Sequence, residues 1–188
     1  MVKKISILFI LEPLLYSQEF MHLADISRKL KMPHTTLRKY LNNFEKIGVV
    51  IKQIKGRLTM YKLNYSNPLI TDYLQVIEKE KLLRKCNEST LLKEIVLFIH
   101  ENENENNILI FGSAVEDIKK ANDIDLLITG KNNMGDKIKL LEKKLNLEFH
   151  IIKVKKLEEI NKALKNEIIN KHIIVEGIGQ IVKWMLKN

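Results

Sequence analysis

A single cysteine, Cys86, stands in the 188 residues. One thiol excludes an internal disulfide framework and fits a reducing cytoplasm, with burial as its expected role. Long apolar runs are missing as well. The most apolar stretch, residues 5–16, is interrupted by Glu12 and Pro13, whereas a membrane span needs about 20 residues. It has no small-x-small cleavage site despite Lys3 and Lys4 before it, so it reads as a helix and not as a signal peptide. No membrane partner and a cytoplasmic location are therefore expected. His22, His34, His100, His150 and His172 show no metal-ligand spacing, and no serine or cysteine has a legible base beside it. A calcium loop counted from Asp123 needs glycine sixth and glutamate twelfth, where Ile128 and Met134 stand.

Positive charge is plentiful and unevenly placed. Residues 1–66 carry 12 Lys plus Arg against 4 Asp plus Glu, a net of +8, out of +9 for the whole chain. The remainder holds 20 against 19. This asymmetry implies two modules with different partners, the first partner polyanionic.

Within the basic third, Leu23, Ile26 and Leu30 share one helical face, "KMPHTT" interrupts, and Leu37, Tyr40, Leu41, Phe44 and Ile47 form a second apolar stripe. Gly48 ends that helix. "VVIKQI" and "LTMYKL" then flank Lys55-Gly56-Arg57 as a hairpin. With an earlier helix near residues 5–15, this order resembles a winged helix-turn-helix over residues 1–65. The resemblance makes the second helix the recognition element. The residues off its apolar stripe are Thr35, Thr36, Arg38, Lys39, Asn42 and Asn43, types that contact phosphates and base edges. Lys52, Lys55 and Arg57 would place the wing against the backbone of double-stranded DNA. The alternative is a solvated polar face on a protein-binding or dimerisation module; the confinement of the charge to this segment favours DNA.

Residues 66–88 read as a helical connector, with Leu69, Tyr73, Val76, Ile77 and Leu83 as its apolar face, able to pack between modules or to pair in a homodimer. Residues 89–188 open with a Ser89 N-cap and a helix, and "NENENN" reads as an exposed loop. Strands over "NILIFGS", "DIDLLIT" and "LEFHIIKV" alternate with helical segments, and from Leu157 the chain reads as helical to its end. The expected fold class is α+β, with a small mixed sheet of about three strands in the second module.

"FGSAVEDIKKANDIDLLI" sets Asp123 and Asp125 into an apolar strand. Alternation points both carboxylates the same way, a costly pairing unless a cation or several donors compensate. Mg²⁺ would do so, since it takes carboxylate oxygens and keeps waters or phosphates in its shell. Taken alone, the pair also reads as a strand end with solvated carboxylates or as a turn cap. An apolar strand ending in Gly112-Ser113, about ten residues, Asp123-x-Asp125 and a later strand with another acid resemble the nucleotidyltransferase domain of the DNA polymerase β superfamily, notably its small stand-alone members.

That resemblance implies that Gly112 and Ser113 bind nucleotide and that Asp123, Asp125 and a third acid hold Mg²⁺ for in-line displacement at the α-phosphorus of ATP or another NTP. Glu148 is favoured as the third ligand because a hard oxygen suits Mg²⁺; His150, on the same face, would be an outer partner or part of a general base. Glu116 and Asp117 depart from the family, standing where phosphate prefers donors, with Lys119 and Lys120 to compensate. The function so implied is a DNA-binding protein whose second module transfers NMP, AMP from ATP foremost, to a hydroxyl of a small molecule or of a toxin-like protein, in the manner of an autoregulating antitoxin. The competing reading is a transcription regulator whose nucleotidyltransferase fold is non-catalytic and senses a nucleotide or binds a partner.

Overall fold

In the computed structural model, residues 6–102, 106–118, 120–121, 123–130 and 134–187 are described. Expectations at residues 1–5, at the centre of "NENENN" and at Lys119 lie outside them. The chain is α+β and divides into two compact units, with the boundary between Ile77 and Glu78.

The first unit opens with a 3₁₀ helix, Leu8–Leu14, that carries Pro13 and buries Ile10, Leu11 and Leu14. The sequence pattern predicts an ordinary helix here; proline lacks the N–H that α-helical bonding needs. Next come β1 (Met21–His22), α1 (Leu23–Leu30), α2 (His34–Lys46), β2 (Val50–Lys55) and β3 (Leu58–Leu63). β3 lies between β1 and β2, antiparallel to both. The two-residue β1, too short to show a period, adds a third strand to the expected hairpin. Leu37, Leu41 and Phe44 of α2 are buried as their spacing predicts, while Ile47 is 57% exposed. Ile47 has already left helical geometry, and Gly48 (φ +73°) closes the end. Gly48 N–H donates to Glu45 and Val49 N–H to Phe44, the paired bonds of a Schellman close.

α3 (Ile70–Glu88) crosses the boundary between the units. Its buried residues include Ile70, Leu74, Ile77 and Leu82, whereas Leu69, Val76 and Leu83 stay exposed. The face expected from sequence is thus corrected by about one position: apolar residues line two sides of this helix, and spacing alone does not choose between them.

The second unit continues with α4 (Thr90–Asn102), β4 (Asn107–Phe111), a 3₁₀ turn over Gly112–Val115, β5 (Asp123–Thr129), α5 (Gly135–Leu145), β6 (Glu148–Val154), α6 (Lys162–Asn170), β7 (His172–Glu176) and α7 (Ile178–Leu186). Ser89 Oγ accepts from Leu92 N–H at 3.3 Å, the expected cap of α4. The sheet has four strands in the order β6-β5-β4-β7, with β5 and β6 parallel and the other pairs antiparallel. β7 corrects the expectation of helix from Leu157 onward. Ile173, Ile174 and Val175 are all buried, and a short run hidden on both faces has no alternation to distinguish it from a buried helix; its β-branched residues were the available signal.

On one face of the sheet Ile108, Ile110, Ile124, Leu126, Ile128 and Phe149 pack with Leu82, Ile95 and Ile138 from the helices. α7 lies against β4 and β7 on the other face, where Leu109 and Leu127 are buried. Cys86 is partly buried against the first of these clusters, and burial pushes its thiol up from the ordinary range.

Candidate functional site

The register of β5 and β6 decides where the acids go. Asp123 pairs with Glu148 and Asp125 with His150, and laterally paired residues of parallel strands project to the same side. All four therefore share one face, while Ile124 and Phe149 turn into the core on the other. Asp123 and Asp125 are half-buried and Glu148 and His150 exposed at the edge strand. His150 Nδ1 lies 3.0 Å from Asp125 Oδ1, whose side chain is 21% exposed.

Phe111 pairs with Asp125, which brings the end of β4 directly against the second aspartate. Gly112 follows at φ +73°, and a Cβ on it would collide with the Oδ2 of Asp125. Glycine is required here twice over, by left-handed backbone and by the carboxylate pressed against it. Ser113 is exposed on the 3₁₀ turn beside it. Gly112→Ala is expected to cost about 1–3 kcal/mol in stability, from the αL backbone and the displaced carboxylate. Urea unfolding of the two proteins checks the value, and equal midpoints would remove the contact from consideration.

The chemistry of the donors fits Mg²⁺ as a pair. Two carboxylates on one face supply hard oxygens, and this ion ordinarily leaves the rest of its shell to water and phosphate. Among the described residues no group of three or more His, Cys, Asp and Glu converges as a metal-holding cluster. Basic side chains surround the glycine turn. Lys85 Nζ donates to the Val115 carbonyl at 3.0 Å, Lys171 Nζ sits 2.7 Å from Glu116, and Lys120 Nζ is 3.4 Å from Asp117. The hydrogen bond from Lys171, and then its charge, hold the Glu116 carboxyl below its usual range. Lys171, distant in sequence, thus pairs with Glu116, and Lys120 with Asp117. A cleft of about 180 Å³ opens between Lys85, Glu88, Ser89, Leu92 and this turn.

In the first unit Thr35, Thr36, Arg38, Lys39 and Asn43 are exposed along α2, as are Lys55 and Arg57 at the hairpin tip. Asn42 has a different setting. It is half-buried, and its Oδ1 lies 3.2 Å from Lys52 Nζ and 3.3 Å from Tyr61 Oη. It braces the wing against the helix. Burial raises the Tyr61 phenol above its ordinary range.

Sequence reasoning missed a buried polar network in the second unit. Glu78 is 1% exposed and His172 3%. His172 Nε2 lies 3.0 Å from Glu78 Oε1, Lys81 Nζ donates to Glu78 Oε2 at 3.1 Å, and His172 Nδ1 donates to the Ile168 carbonyl at 2.7 Å. Burial alone would raise the Glu78 carboxyl; the charges of His172 and Lys81 outweigh it and hold the group at about 2. A separation of 94 residues between Glu78 and His172 leaves no local pattern to read.

No protein-family model matches the chain, and no curated protein matches it either. Solved structures give partial likenesses. A structure of the toxin-antitoxin MntA-HpeT mutant shares 15% identity at a TM-score of 0.39, over 50% of this chain and 79% of that one. A toxin-antitoxin structure with AMP-PNP gives 17% and 0.39 over the same shares. T. acidophilum IdeR gives 20% and 0.35, over 55% of this chain and 51% of its own. Likenesses of this extent carry no weight for function beside the geometry of the site.

Proposed function

We propose that the protein couples a winged-helix DNA-binding module, residues 1–65, through a helical connector, residues 66–88, to a Mg²⁺-dependent nucleotidyltransferase module, residues 89–188. The transferase module moves NMP, AMP from ATP foremost, to a hydroxyl acceptor. The observation that carries this reading is the single face shared by Asp123, Asp125, Glu148 and His150, with the Gly112 turn pressed against Asp125. Asp123 and Asp125 are the residues to hold Mg²⁺, with Glu148 alongside. The bound ion would neutralise the triphosphate and lower the pKa of the attacking hydroxyl. Ser113, exposed on its turn, binds phosphate through hydroxyl and amide. His150 orients Asp125 through Nδ1. The acceptor class fitting an operon autoregulator is a side-chain hydroxyl of a toxin-like protein, and a homodimer would present two recognition helices to half-sites about 34 Å apart.

The test is label transfer from α-³²P-ATP with Mg²⁺ into lysate of the source organism, by the wild type and by Asp123→Asn/Asp125→Asn. A labelled product that disappears with the aspartates supports transfer. Failure of the wild type to label anything, despite measurable binding of Mg²⁺-ATP, overturns it in favour of a nucleotide-sensing regulator. That second reading has its own support: Glu116 and Asp117 stand beside the glycine turn, where carboxylates repel phosphate.

DNA binding rests on the exposed basic and amide side chains of α2 and the wing. Affinity for duplex DNA is expected to fall steeply with salt. Arg38→Ala and Lys55→Ala should each reduce the slope of log K against log salt by about 1. Fluorescence anisotropy at several salt concentrations checks this, and binding indifferent to salt would reassign the winged helix to protein contacts.

A further inference from the structure

The second unit has another cavity at the far end of the same sheet face. It measures about 510 Å³ and opens where β5 and β6 finish, at Thr129 and Gly130 on one side and at Lys155 and Lys156 on the other. Asp123 and Thr129 are six residues apart on β5, so about 20 Å separates this cavity from the acidic end. That distance excludes a shared ligand of ordinary nucleotide size.

Its lining is basic. Lys155, Lys156, Lys183 and Lys187 contribute four ammonium-bearing side chains against one carboxylate, Glu158. Glu158 is itself 3.6 Å from Lys187. Among the described residues, no ion pair is made by the ammonium groups of Lys155, Lys156 and Lys183, although Glu159 Oε2 accepts from the backbone N–H of Lys155 at 3.1 Å. The floor is built rather than incidental. Asn107 Nδ2 donates to Thr129 Oγ1 at 2.9 Å and to Gln180 Oε1 at 3.1 Å, tying β4, β5 and α7 together at the cavity. Trp184, 4% exposed, lines it too, with Lys165 Nζ 5.2 Å from its ring centre. Burial first, and then the nearby Lys187 ammonium, push the Lys165 amine below its ordinary range.

Four cations gathered at one mouth repel one another, and a multivalent anion relieves that repulsion. The volume suits a small molecule, since ligand cavities run from about 300 to 1,000 Å³. We infer that this cavity is a second ligand site, separate from the acidic face, that binds a small polyphosphate anion through Lys155, Lys156, Lys183 and Lys187.

The chain has one tryptophan, so intrinsic emission reports on this cavity directly. Titration of the full chain with sodium tripolyphosphate is expected to give a saturable change in Trp184 fluorescence, with a midpoint that rises with salt. Lys156→Glu/Lys183→Glu should move that midpoint by at least about tenfold. Lys183→Gln, which only removes a charge, should move it less and in the same direction. The titration should persist in Asp123→Asn/Asp125→Asn. A parallel titration with ATP identifies the natural chemistry: a tighter midpoint than tripolyphosphate selects a nucleoside polyphosphate, and an equal one selects the phosphate chain alone. An unresponsive wild type, a response that survives both lysine variants, or one abolished by the aspartate variant alone would overturn the assignment. A response to single-stranded oligonucleotide with none to tripolyphosphate would overturn it too, in favour of a nucleic-acid strand.

Discussion

Asp123→Asn with Asp125→Asn is expected to lower nucleotide transfer by about 10³-fold or more and to leave the fold standing. The two carboxylates lie one strand-repeat apart on one face, half-buried, with His150 against the second. Charge stabilisation by a metal ion held there is worth several kcal/mol at the transition state, and each 1.36 kcal/mol is a factor of ten in rate, so loss of about 4 kcal/mol gives roughly that factor. Asparagine keeps the volume and the polar contacts of aspartate while removing like charges that repel. Urea unfolding should therefore find the double variant within about 1 kcal/mol of the wild type. Activity lost at unchanged stability identifies the aspartates as functional; activity and stability lost together would show that they merely hold the strand end. Wild-type levels of transfer in the double variant would remove them from the chemistry.

Glu78→Ala carries the largest expected effect on stability, about 3–5 kcal/mol, because it leaves His172 buried and Lys81 three-quarters or more buried beside a missing partner. Removing both central groups, as in Glu78→Met/His172→Met, should recover part of the loss, since apolar side chains carry no desolvation cost. The network also sets an acid limit. A carboxyl held at about 2 when folded, against an ordinary 4.5, contributes stability that is complete above about pH 4.5. That contribution is lost as pH falls from there through about 2. Stability measured from pH 6 down to pH 2 should decline more steeply in the wild type than in the double methionine variant. Parallel curves would mean that Glu78 does not stay ionised in the folded protein.

Much of the local structure was legible because it is periodic. Leu37, Leu41 and Phe44 repeat at helical spacing and bury together; Ser89 caps α4; Gly48 closes α2. The alternation of "DIDLLIT" placed Asp123 and Asp125 on one face before any pairing was known. Other elements were illegible for definite reasons. β7 is buried on both faces and so has no alternation; β1 is two residues long; α3 has apolar residues on two sides.

Sequence by itself determined the helices and strands that carry a clear period, the concentration of positive charge in the first third, and the presence of two like charges on one strand face. These follow from periods of 3.6 and 2 and from composition, which are properties of neighbouring residues. Tertiary structure alone decided that Glu148 and His150 lie across from Asp123 and Asp125, that Gly112 lies against Asp125, that Asn42 braces the wing, that Glu78 meets His172, and that four lysines ring one cavity. Each of these depends on strand register or on contacts between residues distant in the chain. The one-dimensional pattern carries no such information, because a side chain's partners across the fold are set by where the packed core brings the backbone.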